Sequence, residues 1–345
     1  MLIKKYTTRK NFKNNIPIVY KQTSTDLKMS FCYITDLINN LGDYMKTEII
    51  STKDNKKIVL YKWDEVIRPL AVIQLVHGSC EHLKRYEDFA KEMNQNNVIV
   101  VGIDQRGHGQ TSVLNNELGY FNKTKGWECL IEDQLLVNQY IKTNYINLPI
   151  YMLGHSMGSF VARSYAIKYS DTIKGLILSG TNQTNSFVLI SALFLTSLTS
   201  LFIKEKQPNK IIWNISYKTL NKKFKTNNAN GVEWLTRDKN IQNQFLNDKL
   251  CGFVFSSSAF KDMFKGMLFN LKSKNLKKMN KNLRILLLTG SDDPVSHFSK
   301  DAVKFSNKLN KLEYSSQLII YPNFRHEILN ELDKNLVIRD ILKFM

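Results

Sequence analysis

The eleven residues Leu148-Pro149-Ile150-Tyr151-Met152-Leu153-Gly154-His155-Ser156-Met157-Gly158 constrain the fold more than any other stretch of this chain. A short apolar run, Ile150 to Leu153, enters a G-x-S-x-G turn, and Phe160 to Tyr169 leaves it with apolar residues on one helical face. Strand, sharp turn and helix in that order hold the central serine in a strained backbone conformation, with the first N–H groups of the helix pointing back at it. Glycine is needed on both sides because a Cβ at Gly154 or Gly158 would meet neighbouring backbone. Ser156 is therefore the candidate nucleophile. The five-residue pattern also occurs in ordinary Gly-Ser turns, and what separates the two is its place between a buried-strand run and a helix.

Strands and helices alternate around this turn. Leu70 to Val76 is a near-continuous apolar run, as expected for a strand buried on both faces of a parallel sheet, and Val98 to Ile103 and Ile173 to Ser179 read likewise. Helices are expected at Tyr86 to Met93 and Trp127 to Ile141. Upstream, Glu48 to Thr52 and Lys57 to Trp63 alternate around Asp54-Asn55, which predicts a hairpin. The segment Asp104 to Ser112 reads as a glycine-punctuated loop, and it lacks the Lys-Ser/Thr pair of a phosphate cradle. The rhythm stops at Gly180. It returns with strand Leu283 to Thr289, helix Phe298 to Leu309, strand Gln317 to Tyr321 and helix Leu336 to Phe344. The chain thus reads as α/β, a mainly parallel sheet with helices on both faces. Residues 46–180 and 282–345 form the core, 181–281 a helical insertion, and 1–45 a basic extension of uncertain order.

The net charge of +19 is unevenly placed. Residues 204–282 hold 17 Lys/Arg against 5 Asp/Glu, and residues 1–30 hold 7 against 1, so the rest of the chain is close to neutral. No nucleic-acid recognition motif and no aromatic-basic interleaving accompany the charge, which excludes nucleic acid as the expected partner. An anionic membrane surface fits better. Gly175 to Ile203 carries no charge, but Phe187 to Ile203 falls slightly short of the ~20 apolar residues of a span and is interrupted by serines and threonines. A helix covering an apolar cavity is the expectation there. Beside it, the basic stretch with Trp213, Tyr217, Trp234, Phe253 and Phe255 describes a lid that rests on a lipid interface. Cys32, Cys80, Cys129 and Cys251 are far apart and form no C-x-x-C pair, so reduced thiols are expected, with no structural zinc. Met1 to Phe12 is charged throughout and has no apolar signal-peptide core. A cytoplasmic location follows, with peripheral contact at the inner membrane surface.

A serine hydroxyl needs a base to take its proton, and the base needs an acid to hold its tautomer and stabilise its cation. Strand carboxyl ends share one edge of an open α/β sheet, so residues distant in sequence converge there. His326, after the last strand, is the candidate general base and acid. Asp292 and Asp293 compete to orient it, and Pro294 favours Asp293 by making a rigid turn. His77 and His108 are expected to fix loops, His155 to pack beside the turn, and His82 and His297 to lie at the surface or in loops. Backbone N–H groups of Met157 and Ser79 are the candidate oxyanion donors.

Five motifs then carry a resemblance. They are His77-Gly78-x-x-Glu81-His82-x-x-Arg85-Tyr86, Asp104-x-Arg106-Gly107-His108-Gly109, Gly154-His155-Ser156-Met157-Gly158, Gly290-x-x-Asp293 and Arg325-His326-Glu327-x-x-Asn330-Glu331. In this order, over residues 46–344, the chain resembles the monoacylglycerol lipase and lysophospholipase family of α/β-hydrolases, also called serine aminopeptidase-like. The resemblance implies an α/β-hydrolase fold, a helical cap before the strand that carries the catalytic aspartate, and Asp293 rather than Asp292 in the triad. It implies a cofactor-free serine esterase acting on a single-chain fatty acyl ester, a lysophospholipid or monoacylglycerol, through an acyl-enzyme on Ser156. A peptidase, thioesterase or acyltransferase with the same triad, or a silent lipid-binding hydrolase fold, are the alternatives. The basic cap and residues 1–45 fall outside what the resemblance supplies.

Overall fold

The computed structural model describes residues 45–345, so all but the last residue of the basic extension, with Cys32, lies outside the described residues. One eight-stranded sheet runs in the order β1-β2-β4-β3-β5-β6-β7-β8. Its strands are β1 (Lys46–Ser51), β2 (Lys57–Trp63), β3 (Ala71–Val76), β4 (Val98–Ile103), β5 (Ile150–His155), β6 (Gly175–Ser179), β7 (Arg284–Gly290) and β8 (Ser316–Tyr321). Every neighbouring pair from β4 to β8 is parallel, while β1 pairs β2 and β2 pairs β4 in antiparallel sense. The hairpin turn is the expected one, with Asn55 in the left-handed region at φ 62°.

Strands β3, β4, β5 and β6 are buried along their whole length, as their unbroken apolar runs require. Alternate residues feed two separate cores. Val72 and Val76 of β3 face one side, packed with α3 (Gly126–Asn144), α4 (Met157–Tyr169) and α10 (Lys300–Lys311). Ile73 and Leu75 face the other, packed with α1 (Glu87–Gln95) and α11 (Asn335–Phe344).

Two elements depart from the expected bounds for reasons outside local propensity. Helix α2 (Gly109–Asn115) begins inside the expected Asp104 to Ser112 loop. The buried Asp104 carboxylate accepts from Gln110 N at 2.7 Å and from Leu83 N at 2.8 Å, which places an anion at the helix start. Gly109 is required there, because a Cβ would lie 2.1 Å from Asp104 Oδ2. Strand β5 also runs past its apolar stretch, since Gly154 and His155 still pair with Leu178 and Ser179 of β6.

Between β6 and β7 the chain is helical, with α5 (Ser186–Thr199), α6 (Lys210–Ser216), α7 (Lys239–Asn247), α8 (Ser257–Leu271) and α9 (Ser273–Leu276). None of the described helices is long and apolar enough to cross a membrane. Helix α5 contributes none of the residues that line the cavity at Ser156. It packs on α8 and buries Leu189, while Phe187, Val188, Ile190, Phe194 and Leu198 face outward, followed by Leu201 and Phe202, the latter 89% exposed.

Candidate active site

The chain passes from β5 to α4 through Ser156, whose φ of 51° and ψ of −120° lie outside the ordinary regions for a side-chain-bearing residue. Neighbours enforce this geometry. Ser156 N donates to Ser179 O at 2.9 Å. A Cβ on Gly158 would sit 2.2 Å from Val76 O, and one on Gly154 would sit 2.5 Å from Gly158 O, so the first turn of α4 presses directly against β3 and β5. Strain of this kind costs about 1–3 kcal/mol and persists only where the surroundings over-determine it.

Three strand ends bring Ser156, His326 and Asp293 together. The Ser156 hydroxyl donates to His326 Nε2 at 2.9 Å, and His326 Nδ1 donates to Asp293 Oδ1 at 3.0 Å. Asp293 is fully buried and also accepts from Val295 N at 2.8 Å, within the turn that Pro294 stiffens. Asp292 points away and pairs with Lys223 at 2.9 Å. Of the two neighbouring aspartates, only Asp293 reaches the imidazole.

Burial drives the His326 pKa down, but the Asp293 carboxylate and its hydrogen bond, with Glu327 and Glu81 behind, outweigh that and hold it above the ordinary histidine value. The His155 ring lies 4.8 Å from that of His326, tilted by 49°, and behaves oppositely. Burial, then the neighbouring imidazole, pushes it down to about 3, so it stays neutral. Segment 234–235, between α6 and α7, also shapes this corner. His326 N donates to Trp234 O at 3.3 Å, Glu327 N donates to Leu235 O at 2.7 Å, and the Trp234 ring lies 5.2 Å from the imidazole.

The loop after β3 passes beside Ser156. A Cβ on Gly78 would lie 3.1 Å from Ser156 Cβ, which brings Ser79 to the cavity that Ser156 also lines. Met157 opens α4, where its N–H has no intrahelical acceptor. His77 fixes this loop through Gln105 N at 3.0 Å, and His108 Nδ1 meets Arg106 O at 2.9 Å, as expected of both. His82 is not a surface residue. It is buried, with Nε2 2.7 Å from Asp248.

Beneath the loop lies an ionic network whose roles the sequence does not declare. Glu81 accepts from Gly78 N at 2.6 Å and from Arg85 at 2.5 Å, and Arg85 grips Glu327 with two bonds of 2.8 and 2.6 Å. Burial opposes ionisation of both acids. Arg85 overturns this for Glu327, whose pKa lies below the ordinary range, while Glu81 remains above it. The network ties the Ser79 loop to the residue after His326.

Above these groups opens a cavity of about 290 Å³, lined by Trp213, Tyr217, Phe245, Leu246 and Val232 among others. Trp213 and Tyr217 stack at 4.1 Å, and the Tyr217 hydroxyl donates to Ser79 Oγ at 3.0 Å. Sequence reasoning marks Trp213, Tyr217 and Trp234 only as aromatics in a basic stretch. The switch from strand–helix alternation to an aromatic-rich insertion is the one signal that could have placed them here.

A nucleophile turn after β5, with its partners at the ends of β7 and β8 of a two-sided parallel sheet, defines an α/β-hydrolase. Residues 67–333 match the family described as serine aminopeptidase, S33, and the chain belongs to that family. It is 27% identical over 281 residues to a putative monoglyceride lipase of Schizosaccharomyces pombe, covering 77% of this chain and 64% of that one. The chain therefore spans just under two thirds of that relative's length. Among solved structures it is similar to a thermostable carboxyl esterase from Bacillus coagulans, with TM-score 0.79, 23% identity, and 87% and 97% of the two chains covered. A soluble variant of the Saccharomyces cerevisiae monoglyceride lipase gives TM-score 0.64 at 19% identity, over 95% and 97% of the chains.

Proposed function

We propose that this chain is a serine ester hydrolase acting on monoacylglycerol-like substrates. The observation that carries the reading is the continuous relay from Ser156 through His326 to Asp293, with Ser156 and His326 opening on a cavity that Trp213, Tyr217, Phe245 and Leu246 also line. Ser156 attacks the ester carbonyl as His326 takes its proton, and Met157 and Ser79 N–H groups hold the oxyanion. His326 returns the proton to the leaving glycerol, and the same base then activates water to release the fatty acid. Asp293 holds the imidazole tautomer. None of these steps calls on a cofactor.

Residues 181–281 act as the cap of this site. The apolar side chains of the cavity, Trp213, Val232, Leu235, Phe245 and Leu246, and the relatives named monoglyceride lipases support a single acyl chain as the occupant. A free amino group, as in a peptide substrate, would need an unengaged acid, and the two acids of the lining, Glu81 and Glu327, are both held by Arg85. Among the described residues Lys218 is the only lysine or arginine of the lining, and this favours lysophospholipid as the second reading, with the phosphate meeting the ammonium at the rim.

The cap also contacts the membrane. Its outward-facing apolar α5, beside the 17 basic residues of 204–282, fits an anionic lipid interface. Fatty-acid release from matched monoacylglycerol and lysophosphatidylcholine tests the substrate. Faster release from monoacylglycerol supports the first reading, preference for the phospholipid supports the second, and release from neither overturns both.

A further inference from the structure

A second cluster of chemistry-bearing side chains lies beside the nucleophile but takes no part in the relay. His82 belongs to the loop after β3, Asp248 follows the last residue of α7, and Cys251 comes three residues later. His82 Nε2 is 2.7 Å from Asp248 Oδ2, and a nitrogen, an oxygen and the Cys251 sulfur lie within 4.8 Å of one another. For three atoms no farther apart than this, some point lies within about 2.8 Å of all of them. Zinc bonds to these donors measure about 2.0–2.3 Å, so the ligands have at most about 0.5–0.8 Å to close.

The backbone already holds the two halves together, because Gly252 N donates to Cys80 O at 2.8 Å. An imidazole, a thiolate and a carboxylate form a mixed set that suits zinc-type ions, whereas magnesium and calcium call for oxygen ligands. Three protein ligands leave a fourth position for water, and one of the three, Cys251, also lines the cavity at Ser156. No sequence signature announces the set, since His82 and Asp248 are 166 residues apart.

We propose that His82, Asp248 and Cys251 form a binding site for a divalent transition metal of the zinc type. Bound there, the ion clamps the segment after α7 to the loop that carries Ser79. Binding is a ligand exchange without redox change, in which the Cys251 thiol gives its proton to solvent and its sulfur lone pair to the metal. The inference is independent of the ester-hydrolase reading.

Titration of cobalt(II) into the full chain, with a non-thiol reductant present, tests it. The expected result is one thiolate-to-cobalt charge-transfer band per chain, displaced by zinc, and a zinc-dependent rise in Tm. Cys251→Ser loses both while keeping its circular dichroism spectrum. Asp248→Asn, a near-isosteric change at a partly exposed position, weakens cobalt binding at least ~10-fold. Cys129→Ser and Cys32→Ser keep the band. Absence of the band in the wild-type chain, or its survival in Cys251→Ser, would overturn the proposal and leave His82 and Asp248 as a hydrogen-bonded pair joining loop and cap.

Discussion

Asp292 and Asp293 are adjacent in sequence, yet one is fully buried against His326 and the other is paired with Lys223 near the surface. Asp293→Asn should cut kcat by roughly 10⁴, because the amide favours the wrong imidazole tautomer. Asp292→Asn removes a partly exposed ion pair and should change kcat by less than about fivefold. Equal losses in the two variants would contradict the assignment. The pH profile tests the same relay. His326 must be neutral to accept the serine proton, so kcat/KM falls as pH drops through its pKa, which lies above the ordinary histidine value. Asp293→Asn removes the carboxylate that favours the cation, and the acid limb should move to lower pH in whatever activity remains. An unmoved limb would assign that titration to another group. At this scale the sequence was largely legible, since chain order places a serine, an aspartate and a histidine at three strand ends. Pro294 favoured Asp293 from local geometry, but only the packed turn shows which carboxylate reaches the imidazole.

The β5–Ser156–α4 turn is the element on which the site depends. Its glycines are steric requirements, and Gly158→Ala places a methyl group 2.2 Å from Val76 O. That variant should lose thermal stability and soluble yield, as a chemical denaturation curve would report, and an unchanged midpoint would contradict the packing account. Helix α5 shows where periodicity is silent. A charge-free run whose polar residues are only serines and threonines has no strongly polar face to indicate which side is buried. Contact with α8 makes that choice, burying Leu189 and leaving Phe194 out. The double variant Phe194→Ser, Phe202→Ser should bind anionic vesicles more weakly while keeping kcat/KM on a short soluble ester. Unchanged sedimentation with vesicles would contradict the proposed role of α5 in membrane contact. Helix α2 was missed for a related reason, because the carboxylate that sets its start comes from the end of β4.

Across the whole molecule, a near-neutral core carries a strongly basic insertion over its active edge. Each basic residue near an anionic surface contributes ~1 kcal/mol, screened within a Debye length of about 8 Å at physiological salt. Vesicle binding should therefore weaken as salt rises and as anionic lipid is diluted, and binding indifferent to both would contradict the charge argument. The alternation of strand and helix revealed the core, and the composition break at Gly180 revealed the insertion. The contacts between them were not legible. Trp234 on His326, Tyr217 on Ser79 and Asp248 on His82 join residues so far apart that no local pattern records them. The most direct test of the central claim is to label the wild-type chain with a fluorophosphonate, map the adduct by mass spectrometry, and follow monoacylglycerol hydrolysis in parallel. One adduct, on Ser156, is expected, with hydrolysis lost in proportion to labelling. An adduct on another residue, or hydrolysis that persists in the fully labelled chain, would contradict it.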